Sequence, residues 1–68
     1  MDKYEYNLKL DQIKALSAEE GYMSAAEIAD SIYWKKYKNV NTLVKIGEIY
    51  EKADRYQDAR DILLMAYD

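Results

Sequence analysis

The side chains best spaced for chemistry are carboxylates: Asp54 with Asp58, Asp58 with Asp61, and Glu48 with Glu51. Three or four residues apart on a helix, such pairs share a face, and acid–base catalysis would need one of them held at a raised pKa inside a cleft. No apolar pocket with converging polar groups can be read around them, so they are expected on a solvated helix surface. The rest of the catalytic repertoire is bare. The chain has neither Cys nor His, which excludes thiolate attack, disulfides, imidazole as a base and zinc sites of ordinary composition. No glycine-rich phosphate loop, calcium-loop spacing or Ser with an activating base is present. The expectation is a protein that is not an enzyme and holds no metal and no cofactor.

Two further patterns are chemical. Trp34-Lys35-Lys36-Tyr37-Lys38 interleaves aromatics with cations, a pattern that can stack bases and contact phosphates. Ten basic residues against thirteen acidic ones give a net charge of −3, a field that does not attract polyanions. The lysines are better explained as complements to the C-terminal end of a helix dipole, and nucleic acid is not an expected partner. The second pattern is the aromatic alphabet of eight Tyr and one Trp with no Phe. Every aromatic side chain keeps a polar handle, as protein-contact surfaces do.

The elements that must position these residues are helices. With 68 residues there is room for one small core and no second domain, and a chain of this size is marginal unless a partner or very regular packing supports it. No Pro, two Gly and 50% apolar residues favour an all-α chain. Tyr6, Leu10, Ile13 and Leu16 place helix one over Asp2 to about Ala18. Gly21 interrupts, and Ser24 with Glu27 has the form of a capping box that starts helix two, expected to run to about Tyr37. Asn39 or Asn41 caps helix three, with Leu43, Ile46, Gly47, Tyr50 and Ala53 on one face. Asp54 and Arg55 break the pattern before helix four, where Tyr56, Ala59, Ile62, Leu63 and Ala66 recur at helical spacing. Short connections then require four antiparallel helices arranged as two hairpins. The N-terminus reads as no signal peptide, and no stretch approaches the roughly 20 apolar residues of a membrane span. The expectation is a soluble chain with no membrane association, cytoplasmic if natural and of unknown location if engineered.

A shift of 34 residues superposes Tyr22 on Tyr56, Ala25 on Ala59, Ile28 on Ile62 and Tyr33 on Tyr67. Leu43-x2-Ile46-Gly47-x2-Tyr50 followed by Ala59-x3-Leu63 resembles the tetratricopeptide pattern W-x2-L-G-x2-Y…A-x3-F, whose period is also about 34. The resemblance covers residues 40–68, a truncated repeat, while residues 6–39 form a degenerate one in which Ile13 replaces the glycine. It implies two helical hairpins of an α-α superhelix. It also implies a concave face lined by the first helix of each repeat, of the kind on which the family binds extended peptides. Here that face offers Asn7, Leu10 and Lys14, then Asn41, Val44, Lys45 and Glu48. Val44 and Glu48 break the family's clamp for a terminal carboxylate, so that activity is not carried over. Two repeats fall short of the three or so that an array needs, and the chain reads as either a fragment or an engineered miniature.

On a 100° wheel, helix two gathers Ala25, Ile28, Ala29 and Ile32 on a buried stripe. Met23, Ala26, Tyr33, Trp34 and Tyr37 fall opposite, edged by Glu27 and Asp30. Aromatic anchors inside a charged rim have the anatomy of a protein interface. The expected function is protein–protein interaction through this face, with Met23, Ala26, Glu27, Asp30, Tyr33, Trp34 and Tyr37 as contact residues. The chain in this respect also resembles a repeat scaffold resurfaced as an engineered binder. The alternative use of the same face is a homodimer, or the stacking of a further repeat.

Overall fold

In the computed structural model, which describes residues 1–68, Asp2 opens the first helix by accepting the Glu5 N–H on its side chain at 2.8 Å. The helix, α1, spans Lys3–Ala18, followed by α2 (Tyr22–Asp30), α3 (Val40–Lys52) and α4 (Tyr56–Ala66), with no strand. Asn39 is the cap that starts α3, its side-chain oxygen accepting the Thr42 N–H at 3.1 Å. The helix α2 departs from expectation at both ends. It begins at Tyr22 on an N-cap Gly21 with no side-chain capping bond, so Ser24 and Glu27 make no capping box and lie inside the helix. It also ends at Asp30 rather than Tyr37, where Ser31 turns its hydroxyl onto the Ile28 carbonyl at 2.6 Å. The segment beyond is irregular.

The two hairpin turns are the same turn, 34 residues apart. Glu20 and Asp54 both take φ 62, the left-handed conformation that closes many helix C-termini. The Gly21 N–H bonds to the Leu16 carbonyl at 2.7 Å, and the Arg55 N–H bonds to the Tyr50 carbonyl at 2.8 Å. Each helix thus stops for an identical backbone reason, and the chain reverses in the same sense twice.

Packing runs in chain order: α1 on α2, α2 on α3, and α3 on α4. Leu43 and Ile46 occupy the centre, with Ile13 from α1 and Ile62 from α4. Ala25, Ala26 and Ala29 are fully buried, and their small size lets α2 sit close to its neighbours. Gly47 does the same for α3, since a Cβ there would lie 2.8 Å from Leu63 Cδ2 and 2.9 Å from its Cγ. The second hairpin is therefore a fitted pair of small against large. A polar staple ties α2 to the α3–α4 turn: Arg55 donates to both Asp30 oxygens at 2.7 and 2.9 Å, Tyr50 Oη donates to Asp30 at 2.8 Å, and the guanidinium lies 5.0 Å from the Tyr50 ring. The molecule measures 27 × 26 × 17 Å, and no helix is long and apolar enough to cross a membrane.

Candidate protein-binding groove

Because hairpins alternate in direction, α1 and α3 run in the same sense and leave a groove of about 480 Å³ between them. Leu10 and Ile13 of α1 and Ile46 and Ile49 of α3 form its floor. Each pair is three residues apart, so each helix turns two adjacent apolar side chains inward. Lys14, Lys45 and Lys52 stand along the same groove with Glu48. Three lysines against one glutamate make its lining +2 in a chain of net −3. Asn41 and Thr42 mark one end. At the other, Lys52 Nζ sits 5.1 Å from the centre of the Tyr22 ring, a cation–π contact that holds the ammonium in place. Ser17 also lines the groove, and its Oγ is buried without a hydrogen-bond partner. An unpaired buried hydroxyl costs free energy until something bonds it.

No group of three or more carboxylate, imidazole or thiolate ligands is assembled for a metal. The carboxylates singled out by spacing are tied at the surface: Asp54 accepts from Tyr56 Oη, Asp58 from Arg55, and Asp61 from Gln57. Glu48 and Glu51 face different depressions.

No family model, curated protein or solved structure matches the chain.

The helix-two face is divided. Met23 and Tyr33 are 73% and 67% exposed, and Glu27 is exposed between them. Asp30 is exposed too, but its carboxylate is occupied by Arg55 and Tyr50, and the Arg55 hydrogen bonds hold it below the ordinary carboxylate range. Ala26 is not a surface residue; it is completely buried. Trp34 is 6% exposed, its ring edge-on to Tyr6 at 6.1 Å and its Nε1 donating to the Ala29 carbonyl at 3.1 Å. Tyr37 is half-buried, stacked on Tyr6 at 3.9 Å, and its Oη donates to the Met1 carbonyl at 2.9 Å. One cause explains the last two corrections, since α2 stops at Asp30, while Ala26 lies within the helix on a side packed against its neighbours. Past Asp30, Ile32 and Trp34 turn inward while Tyr33 and Lys35 stay exposed, an alternation no helical wheel describes. Tyr56, the first of the residues that recur at helical spacing in helix four, is 63% exposed.

The groove was partly visible in sequence. Leu10, Lys14, Asn41, Lys45 and Glu48 line it, as the concave-face positions suggested. Ser17, Tyr22, Ile49 and Lys52 were missed. The seven-residue spacing of Lys45 and Lys52 was the available signal for the basic edge.

Proposed function

We propose that this chain is a protein-interaction module of tetratricopeptide-like build that takes an extended acidic segment of a partner protein into the α1–α3 groove. The observation that carries the reading is the union of an apolar floor with three converging lysines in a chain that is acidic elsewhere. An extended segment with alternating acidic and apolar side chains satisfies both, placing apolar groups on Ile13 and Ile46 and carboxylates on the lysines. The recurrence of one hairpin turn at 34 residues supports the repeat-like build. The reading is the same whether the hairpins were inherited or engineered.

The helix-two face enters as the competing site, reduced to Met23, Glu27 and Tyr33. Fluorescence anisotropy with a labelled, extended Glu/Leu-alternating peptide separates the two. Binding is expected for this probe and not for its Lys/Leu counterpart, with affinity falling as salt rises. Lys45→Glu and Lys52→Glu, both at exposed positions, should each weaken it by about tenfold or more. Equal affinity for both peptides would defeat the groove reading. If binding instead survives the lysine changes and is lost in Met23→Ala with Tyr33→Ala, the site belongs to helix two.

A further inference from the structure

The charged side chains that line the groove between α1 and α3 form no ion pair within the chain. Lys14, Lys45, Lys52 and Glu48 are all exposed, and both salt bridges of the fold belong to Arg55. For Glu48 this is unexpected. Lys45 lies three residues before it and Lys52 four residues after it on the same helix, and a Glu four residues ahead of a Lys is the better-oriented ion pair of a helix surface. Lys52 goes to α2 instead, with its Nζ 5.1 Å from the centre of the Tyr22 ring, a contact that holds the ammonium. The ring takes the cation that Glu48 would otherwise have and leaves a free carboxylate between two lysines.

The order of charge along α3 is therefore plus, minus, plus. At a helical rise of 1.5 Å per residue, Glu48 stands about 4.5 Å along the axis from Lys45 and about 6 Å from Lys52, with all three inside an arc of about 60°. On that wheel the lysines neighbour Ile49 of the floor, and Glu48 lies one step further out, at the rim. An extended segment running along the groove with apolar side chains on the floor sends every second side chain outward, at a spacing of about 6.6 Å. Three successive outward positions then span about 13 Å, against about 10.5 Å from Lys45 to Lys52, and the flexible lysine stems cover the difference. The outer two positions meet the lysines, and the middle one meets Glu48.

A segment acidic at all three positions sets carboxylate against carboxylate in the middle, which is repulsive. A Lys or Arg in the middle pairs with Glu48 and keeps its two acidic neighbours on the lysines. With the groove taken as the peptide site, as proposed above, we infer that Glu48 determines specificity within it, selecting a partner segment in which one basic side chain stands between two acidic ones at alternate positions. The residue that breaks the clamp for a terminal carboxylate thus reads an internal charge pattern.

Fluorescence anisotropy with three labelled peptides of equal length tests this. Their cores are Glu-Leu-Glu-Leu-Glu, Glu-Leu-Lys-Leu-Glu, and Lys-Leu-Glu-Leu-Glu, the last having the composition of the second with its Lys moved to the end. The Lys-centred peptide should bind the parent about fivefold tighter or more than either of the others, the reverse of what net attraction to three lysines alone gives for the all-Glu peptide. In Glu48→Gln the preference should vanish, and in Glu48→Lys the all-Glu peptide should become the tightest, each with unchanged circular dichroism because Glu48 is exposed. All-Glu binding that equals or exceeds Lys-centred binding on the parent, and is still weakened by Lys45→Glu, overturns the inference while the groove reading stands. A preference that persists in Glu48→Gln overturns it as well, since another group then makes the choice. If no peptide binds, or if binding is indifferent to Lys45→Glu and Lys52→Glu, the groove reading falls and the role of Glu48 falls with it.

Discussion

At the scale of the residue, two neighbours have opposite fates. Trp34 wedges between the end of α2 and Tyr6 of α1 with its indole N–H satisfied, while Tyr33 beside it points to solvent. Truncating a buried large aromatic costs about 3–5 kcal/mol, against a total stability of roughly 3–10 kcal/mol for a chain of this length. Trp34→Ala is therefore expected to lose most of its helical circular-dichroism signal at room temperature. Tyr33→Ala should stay within about 0.5 kcal/mol of the parent in urea unfolding. A Trp34→Ala protein that unfolds at the parent's urea midpoint would show that the wedge is not structural. Aromatic identity alone did not distinguish these side chains; the turns that follow α2, with the Lys36 N–H on the Tyr33 carbonyl and the Tyr37 N–H on the Trp34 carbonyl, did.

At the scale of the element, the repeated turn carries a cost that can be removed. Glu20 holds φ 62 with a side chain that makes no hydrogen bond there, and left-handed backbone costs a non-glycine residue about 1–2 kcal/mol. Glu20→Gly should raise stability by about 0.5–1 kcal/mol after glycine's own entropic cost, read as a higher melting temperature. A lower one would mean that Glu20 has a role the turn does not reveal. Asp54 is the less clean position, since it accepts from Tyr56 Oη. The limits of the sequence reading also lie at this scale. Four helices and two hairpins were legible because Leu43, Ile46, Gly47 and Tyr50, then Ala59 and Ile62, keep strict helical spacing. The end of α2 was not, because Ile32, Trp34 and Tyr37 continue an apolar count that a helix and a buried loop satisfy equally well. Trp34 and Tyr37 were read onto the outer face of that helix as a direct result, whereas Trp34 is buried and Tyr37 half-buried. The groove was only half seen, since its lysines take on meaning when α1 and α3 lie side by side.

At the scale of the molecule, the Asp30–Arg55–Tyr50 staple sets how stability answers to pH. Hydrogen bonds from Arg55 lower the Asp30 pKa in the fold, so the unfolded chain takes up its proton first as pH falls. The stabilisation from Asp30 is complete above about pH 4 and is lost below it. Tyr50 and Tyr6 have raised pKa values, chiefly from burial, so their contribution is complete below about pH 10 and is lost as pH rises further. With no His in the chain, no imidazole titrates between these limits. Urea midpoints should form a broad plateau with an acid limb that Asp30→Asn flattens and an alkaline limb that Tyr50→Phe softens. A steep slope between pH 6 and 8 would point to a different controlling group. The Tyr6–Trp34 contact has a use of another kind. Trp34 is the only indole among eight phenols, and the Tyr6 ring centre lies 6.1 Å from it, so light absorbed by tyrosine passes to tryptophan and leaves as indole emission. The intact fold therefore glows at the acceptor's wavelength and the unfolded chain regains the donor's, which gives the protein a label-free optical gauge of its own core.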